Sequence, residues 1–244
     1  MVGTLLLAEQ VTAATITLNY NFEFSGGTNP TGASPWLRAV FDDSGGSGAV
    51  KLTLTSLLQN SGEFVSDVTF NVLNNNLAGL APLAGSNIGA VSAGAFALPS
   101  ISYGADAFKP DGDGTFDIQV SFATAGAANN RFGQSDVWSV TFMRPGLTVA
   151  DFSALSVGGP VGKTGFLSAA HVQGIPAGTG SGWLAPVPVP AAALLFLSGL
   201  APLAPLVYRR TSPKRLAVAL TLACQSATSV GYLACAGSSP RLTV

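Results

Sequence analysis

Charged side chains are scarce in this chain. Only 9% of its 244 residues are Asp, Glu, Lys or Arg, and 11 bases almost balance 12 acids. The acids all lie at or before Asp151, so residues 1–184 hold 12 acids and six bases, a net charge of −6. Nucleic-acid binding needs a basic face that neutralises phosphate. We therefore expect no nucleic-acid partner.

Cysteine is also rare. Cys224 and Cys235 are the only two, so residues 1–223 cannot form a disulfide among themselves. Their spacing is too wide for a CxxC pair and no histidine accompanies them, so we do not expect a zinc site. Scarce charge together with abundant glycine, 29 residues, is common in secreted β-rich proteins and unusual for a cytosolic enzyme.

His171 is the single histidine, and the usual catalytic motifs are missing. The sequence has no GxSxG elbow, no HExxH helix and no phosphate-binding glycine loop that follows a strand. A lone histidine on a strand is more often a packing or hydrogen-bonding residue than a catalyst. We expect a protein that is not an enzyme and needs no cofactor, and a hydrolase using scattered acids is the weakest hypothesis.

Period-two alternation of apolar and polar residues dominates the first two thirds of the chain. In residues 15–24 every even position is apolar and every odd position is Thr, Asn or Glu, which is the pattern of a half-buried strand. The same alternation recurs at four further sets of apolar residues: Val50, Leu52 and Leu54; Val68, Phe70 and Val72; Phe116, Ile118, Val120 and Phe122; and Trp138, Val140 and Phe142. Turn-forming clusters separate the sets. The pattern predicts an antiparallel, jelly-roll-like β-sandwich.

Residues 187–210 have three parts in a fixed order. The first is a short proline-bearing motif: Val187, Pro188, Val189, Pro190, Ala191 and Ala192. An uncharged run over residues 191–208 follows, about 18 residues or about 27 Å as a helix, which is just enough to cross a bilayer core. Arg209 and Arg210 then form a stop-transfer pair that would face the cytoplasm. The alternative is a buried helix of a soluble protein.

This three-part pattern resembles the PEP-CTERM sorting signal in its VPxPA variant. The match comprises the proline motif, the apolar run with Leu195, Phe196 and a Ser198-Gly199-Leu200 step, and the arginine pair. The resemblance implies export through the Sec translocon and a transient anchor in membrane lipid. It also implies processing at the motif by an exosortase, a membrane transpeptidase, and delivery from the inner membrane to the cell surface or matrix. The apolar tail then acts as a sorting signal and not as a permanent anchor, as in a GPI signal.

The predicted organisation has five segments. Residues 1–14 are interpreted as the remnant of a secretory signal peptide cleaved after Ala13 or Ala14, although an ordinary strand or coil is an alternative. Residues 15–176 are the β-sandwich, and the Gly/Pro-rich residues 177–190 are a linker that carries the sorting motif. Residues 191–208 are the transmembrane helix. Residues 209–244 are a basic, disordered cytoplasmic tail, where thiols stay reduced.

Asp111, Asp113 and Asp117 alternate with glycine and threonine and are a candidate calcium site. Ca²⁺ prefers carboxylate and carbonyl oxygens, but Asp-Gly pairs are also strong turn formers. Trp36, Trp138 and Trp183 are candidate stacking surfaces for sugars, although Trp138 lies on the apolar face of its strand and is expected in the core.

The leading functional prediction is an exported surface or matrix protein without catalytic activity. The alternative is a carbohydrate-binding β-sandwich, assisted by calcium at these aspartates, that associates with exopolysaccharide.

Overall fold

The computed structural model describes residues 13–44, 48–90, 96–112, 114–127, 130–158, 165–178 and 180–187. Within these residues the chain forms twelve strands: β1 (Thr15–Glu23), β2 (Leu37–Asp42), β3 (Ala49–Ser56), β4 (Phe64–Phe70), β5 (Ala81–Pro82), β6 (Ile88–Ala90), β7 (Ser100–Phe108), β8 (Phe116–Ser121), β9 (Phe132–Gly133), β10 (Val137–Met143), β11 (Ser168–Gln173) and β12 (Ser181–Pro186). Three short 3₁₀ turns accompany them: Leu73–Asn75, Pro110–Gly112 and Val149–Ser153.

The described strands pair antiparallel into one sheet, in the order β5, β10, β3, β2, β1, β12, β11, β4, β8 and β7. The short strand β6 also pairs with β10, and β9 pairs with β4. The sheet curls, because side chains from its two ends meet across the core. The rings of Tyr103 on β7 and Phe142 on β10 lie 6.5 Å apart, and Phe41 on β2 meets Phe70 on β4 at 5.2 Å. The prediction of a mainly β, antiparallel fold is confirmed.

The inner face of the curled sheet holds the main hydrophobic core. The apolar residues predicted on β3, β4 and β10 lie in it, together with Ile118 and Val120 of β8. Several are fully buried aromatic side chains, and Phe41 stacks on Phe152 with ring centroids 4.4 Å apart. Alternation therefore identified these inward positions correctly, because successive side chains of a strand point to opposite faces.

Strand β1 departs from the predicted alternation. Its register against β12 shifts between Tyr20 and Phe22, which places one extra residue, Asn21, in β1. Such a bulge moves the residues beyond it to the other face. Leu18 and Tyr20 lie in the main core, whereas Phe22 is 47% exposed and Phe24 packs in a second cluster outside it. The expectation that every even residue of 15–24 shares one face is wrong beyond Tyr20.

The predicted linker over residues 177–190 contains a strand. Residues Ser181–Pro186 form β12, which pairs with β1 on one side and β11 on the other. The linker prediction is therefore wrong for this segment. The glycines of this segment indicate a flexible linker, but Gly182 allows two backbones to pack closely. A Cβ at this position would lie 2.5 Å from the carbonyl oxygen of Thr28. Glycine in a strand often marks such an approach of two backbones.

The predicted membrane and sorting segments fall largely outside the described residues. This is true of Pro188 to Ala192, of the run 191–208, of Arg209 and Arg210, of the tail and of residues 1–12. Val187 is described and exposed directly after β12, where its N–H donates to the Asn21 side chain at 3.1 Å. Among the helices that the structure describes, none has the length and apolar character needed to cross a membrane.

Candidate functional site

The outer face of β12, β11, β4 and β8 is covered by a second apolar cluster. Phe24, Phe116, Ala169 and Ala185 are its buried members, and Phe108, Phe166 and Trp183 pack against them. Phe166 precedes β11 and reaches over to Phe24, with ring centroids 4.6 Å apart. This half of the sheet therefore carries apolar packing on both of its faces.

A cleft of about 220 Å³ opens beside this cluster. Its walls are formed by Asp67 and Thr69 of β4, Gln119 of β8 and Trp183 of β12, together with residues 108–110 at the end of β7 and in the turn after it. The cleft joins apolar surface from Phe108, Pro110 and Trp183 to carboxylate, hydroxyl, amide and ammonium groups. Such a mixture of apolar walls and a few convergent polar groups is typical of small-molecule sites.

The carboxylate of Asp67 is held in place by two neutral donors. Gln119 Nε2 donates to Oδ1 at 2.7 Å, and Ser121 Oγ donates to the same oxygen at 2.8 Å. No described residue donates to Oδ2. The carboxylate is therefore fixed through one oxygen, and the other is available to accept a hydrogen bond from a ligand.

His171 lies next to the cleft and stacks on Trp183, with ring centroids 4.5 Å apart and planes 9° from parallel. Gln173 Nε2 donates to its Nδ1 at 3.2 Å, and Ser66 Oγ lies 3.0 Å from the same nitrogen. Because an amide nitrogen can only donate, Nδ1 accepts and the proton of the neutral ring sits on Nε2. Burial lowers the pKa of His171, although the nearby carboxylates of Asp67 and Asp111 oppose that effect.

Ser66 and His171 have the spacing of a nucleophile and its base, but their surroundings do not fit that role. Ser66 is only 1% exposed, and its hydroxyl also accepts a hydrogen bond from Gln173 Nε2 at 3.3 Å. The register of β4 against β11 shifts here: His171 pairs with Asp67 and Val172 pairs with Val65, so Ser66 is the extra residue of a bulge. Ser66 therefore satisfies the polar groups of a bulge and does not present its hydroxyl to a substrate.

The structure describes two of the three candidate calcium ligands. Asp111 is exposed in the 3₁₀ turn Pro110–Gly112, and Asp113 lies outside the described residues. Asp117 is fully buried, and its two carboxylate oxygens accept the N–H groups of Asp106 at 2.8 Å and Val72 at 2.9 Å. In the part of the chain that the structure describes, no three His, Cys, Asp or Glu side chains are grouped to hold a metal ion.

The three tryptophans divide between the core and the cleft. Trp36 and Trp138 are buried, and the indole N–H of Trp138 donates to Asn87 Oδ1 at 2.6 Å. The expectation that Trp138 fills the core is confirmed. Trp183 alone of the three is half-buried and lines the cleft. Sequence reasoning named Trp183 but missed Asp67 and Gln119, which look like ordinary polar positions of alternating strands.

No protein-family model matches this chain, and no curated protein and no solved structure is significantly similar to it. The class of protein is therefore defined by the fold and the site: a mainly β, antiparallel domain with a polar and aromatic cleft on the outer face of its sheet.

Proposed function

We propose that this protein is an exported, non-enzymatic surface or matrix protein whose cleft binds carbohydrate. The observation that supports the binding role is the placement of Trp183 and Phe108 beside the carboxylate of Asp67, in which only Oδ1 accepts hydrogen bonds from described residues. A sugar ring presents apolar C–H faces and a rim of hydroxyls, so it needs both kinds of surface. An aromatic side chain covers the C–H faces, and carboxylate and amide groups pair with the hydroxyls.

The size of the cleft indicates what kind of carbohydrate it takes. Its volume of about 220 Å³ is below the about 300–1,000 Å³ of typical drug-sized pockets. A single ring or a chain end fits such a space, and the rest of a polysaccharide would remain outside. Individual contacts would then be weak, and firm attachment to a matrix would come from many copies that bind one polymer.

The export role rests on the three-part pattern of residues 187–210. The proposal includes the Sec translocon, anchoring in lipid through residues 191–208 and processing by an exosortase at the proline motif. The net charge of −6 over residues 1–184 fits a protein kept soluble outside the cell. We also propose that the curled sheet is a jelly-roll-like sandwich, whose two layers are the sheet halves that face each other.

The binding role is tested by a glycan array with the purified full-length protein and two variants in which one aromatic residue is replaced by alanine. Trp183→Ala removes an aromatic wall of the cleft and should abolish the signal. Phe22→Ala removes an exposed ring outside the cleft and should leave the signal unchanged. A flat array at high protein concentration, or equal signal from Trp183→Ala, would contradict the proposal. Loss of signal with a chelator would add calcium at Asp111 and Asp113.

The sorting role is tested in the native host by the intact mass of the protein at the cell surface. A species that ends near residues 187–190 is expected. Replacing Pro188 and Pro190 by alanine should leave membrane insertion intact, because the apolar run is unchanged, and should block maturation. Normal maturation of the double variant, or a mature species that still carries Arg209 and Arg210, would exclude processing at this motif.

A further inference from the structure

We infer that protonation of His171 changes the arrangement of Trp183 and Asp67 in the wall of the cleft, so that acidification weakens ligand binding there. The consequence for binding rests on the proposed function. The change in the wall does not, because it follows from the contacts of the imidazole ring alone.

The first step is the hydrogen bonding of Nδ1. In the neutral ring Nδ1 accepts, and the amide nitrogen of Gln173 lies 3.2 Å away as a donor. A proton on Nδ1 makes it a second donor, and two donors cannot bond to each other. Ser66 Oγ, 3.0 Å from Nδ1, can then accept from the ring as well as from Gln173 at 3.3 Å, because a hydroxyl oxygen has two lone pairs and its own proton can turn to the His171 carbonyl oxygen at 3.5 Å. The Gln173 amide must therefore turn away from Nδ1 when His171 is protonated, and Ser66 becomes the partner of the protonated ring.

The second step is that two neighbours of the ring line the cleft. Trp183 stacks on one face of the imidazole at 4.5 Å, and Asp67 lies opposite His171 in the register of β4 and β11. Protonation places a positive charge against the face of the indole that forms one wall, where a cation is attracted to the aromatic ring. The new positive charge attracts the Asp67 carboxylate away from the position in which Gln119 and Ser121 hold it.

The third step concerns the charged groups around His171. Strand β4 contributes Asp67, and the segment before β8 contributes Asp111 and the cleft residue Lys109, while the packed residues of β12 and β8, Trp183 and Gln119, carry no charge. The two carboxylates favour the protonated ring. Burial outweighs the carboxylates and places the pKa below the ordinary value of 6.5. The ring is therefore neutral at neutral pH and becomes charged only below pH 6.5.

The wall is tested without any ligand, by NMR of the full-length protein from about pH 8 to about pH 4.5. Because His171 is the only histidine, its ring signals need no assignment by elimination. The Trp183 indole N–H is identified by its loss in Trp183→Phe. Both signals should move with one midpoint below pH 6.5. A midpoint at or above that value, or a Trp183 signal that stays still while His171 titrates, would overturn the inference.

Two substitutions separate this coupling from a merely structural role. Gln173→Glu replaces the donor by a carboxylate that accepts from the imidazolium, and should raise the midpoint. Asp67→Asn removes a favourable charge and should lower it. Asp42→Asn, which removes a half-buried carboxylate at the end of β2 in the other half of the sheet, is the matched control and should leave the midpoint unchanged. If the His171 titration midpoint were the same in wild type, Gln173→Glu and Asp67→Asn, the ring would not be coupled to these groups.

The effect on binding is read from array-positive glycans at about pH 7.5 and about pH 5. Affinity should fall by up to about tenfold per pH unit below the His171 midpoint, the limit for one linked proton. His171→Gln should remove this dependence. Equal affinity at both pH values would refute the control of binding while leaving the proposed function intact. Absence of any glycan signal at either pH would remove the proposed function, and the NMR midpoints would then decide the inference about the wall.

Discussion

The two halves of the sheet differ in what covers their outer face. In β2 buried positions alternate with exposed or half-buried ones, which is the behaviour of a strand with one face on the core and one on water. In β4 six of seven residues are buried, and β11 and β12 resemble it. The extra burial comes from the cluster around Phe24, Phe116 and Phe166. A strand of an antiparallel sheet thus need not alternate when a second layer covers it.

The difference also explains where the cleft lies. A bare outer face, such as that of β2, offers side chains that project into water with little around them to define a pocket. On the covered half, the edge of the apolar layer meets the polar residues of β4 and β8, and the cleft forms at this boundary. The same coverage buries Ser66 and half-buries His171, so the polar groups there must satisfy one another.

The largest expected effect is on the inner core, which both halves share. Phe41→Ala removes a fully buried ring that contacts Phe70 and Phe152. We expect a loss of about 3–5 kcal/mol in the free energy of unfolding, measured by denaturant titration. Thr17→Ala, on the exposed face of neighbouring β1, should change it by less than about 0.5 kcal/mol. Similar losses from the two variants would mean that the two faces of β1 and β2 are not distinct.

The second effect distinguishes a buried carboxylate from an exposed one. Asp117→Ala leaves the N–H groups of Val72 and Asp106 without their acceptors, at an expected cost of about 3 kcal/mol in unfolding free energy. Asp111→Ala removes an exposed carboxylate of the neighbouring turn and should cost less than about 0.5 kcal/mol. Calcium added to the wild type should leave its melting temperature unchanged if Asp117 is only structural. A rise in melting temperature would support the candidate calcium site.

The third effect tests the outer layer itself. Phe166→Ala removes a ring that packs on Phe24 over β11 and β12, and should cost about 2 kcal/mol in unfolding free energy. Phe22→Ala, the ring that the bulge leaves 47% exposed, is the matched control and should cost much less. If both variants lost the same stability, the second cluster would not be a packed layer.

The sequence predicted the inner strands well, because alternation depends only on the pleat of each strand. It could not reveal the bulge at Asn21, because residues 15–24 alternate without a break and the extra residue is imposed by pairing with β12. It also misjudged β12, where Gly182 looked like linker glycine but allows close approach to Thr28. Pairing between the first and last strands of a domain leaves no local trace in either segment.

The site was predicted only in part for a similar reason. Trp183 attracted attention as a large aromatic residue, whereas Asp67 and Gln119 occupy positions where alternation expects polar residues anyway. Their distinction is that β4, β8 and β12 come together on the covered half, with Asp67 bonded to Gln119 at 2.7 Å. That convergence is set by strand order, which alternation does not encode.

The smallest expected effect is the pH dependence that His171 gives to stability. Burial lowers its pKa in the folded state below 6.5, whereas the unfolded chain has the ordinary value. Between these two values the unfolded chain binds more protons, so the stability contributed by neutral His171 is present above pH 6.5 and is lost as the pH falls toward the folded pKa. The effect is small because the carboxylates of Asp67 and Asp111 oppose burial. Denaturant titrations at about pH 7.5 and about pH 5.5 should therefore show a greater loss for the wild type than for His171→Gln, and an equal loss in the two proteins would mean that the covered half of the sheet does not perturb this ring.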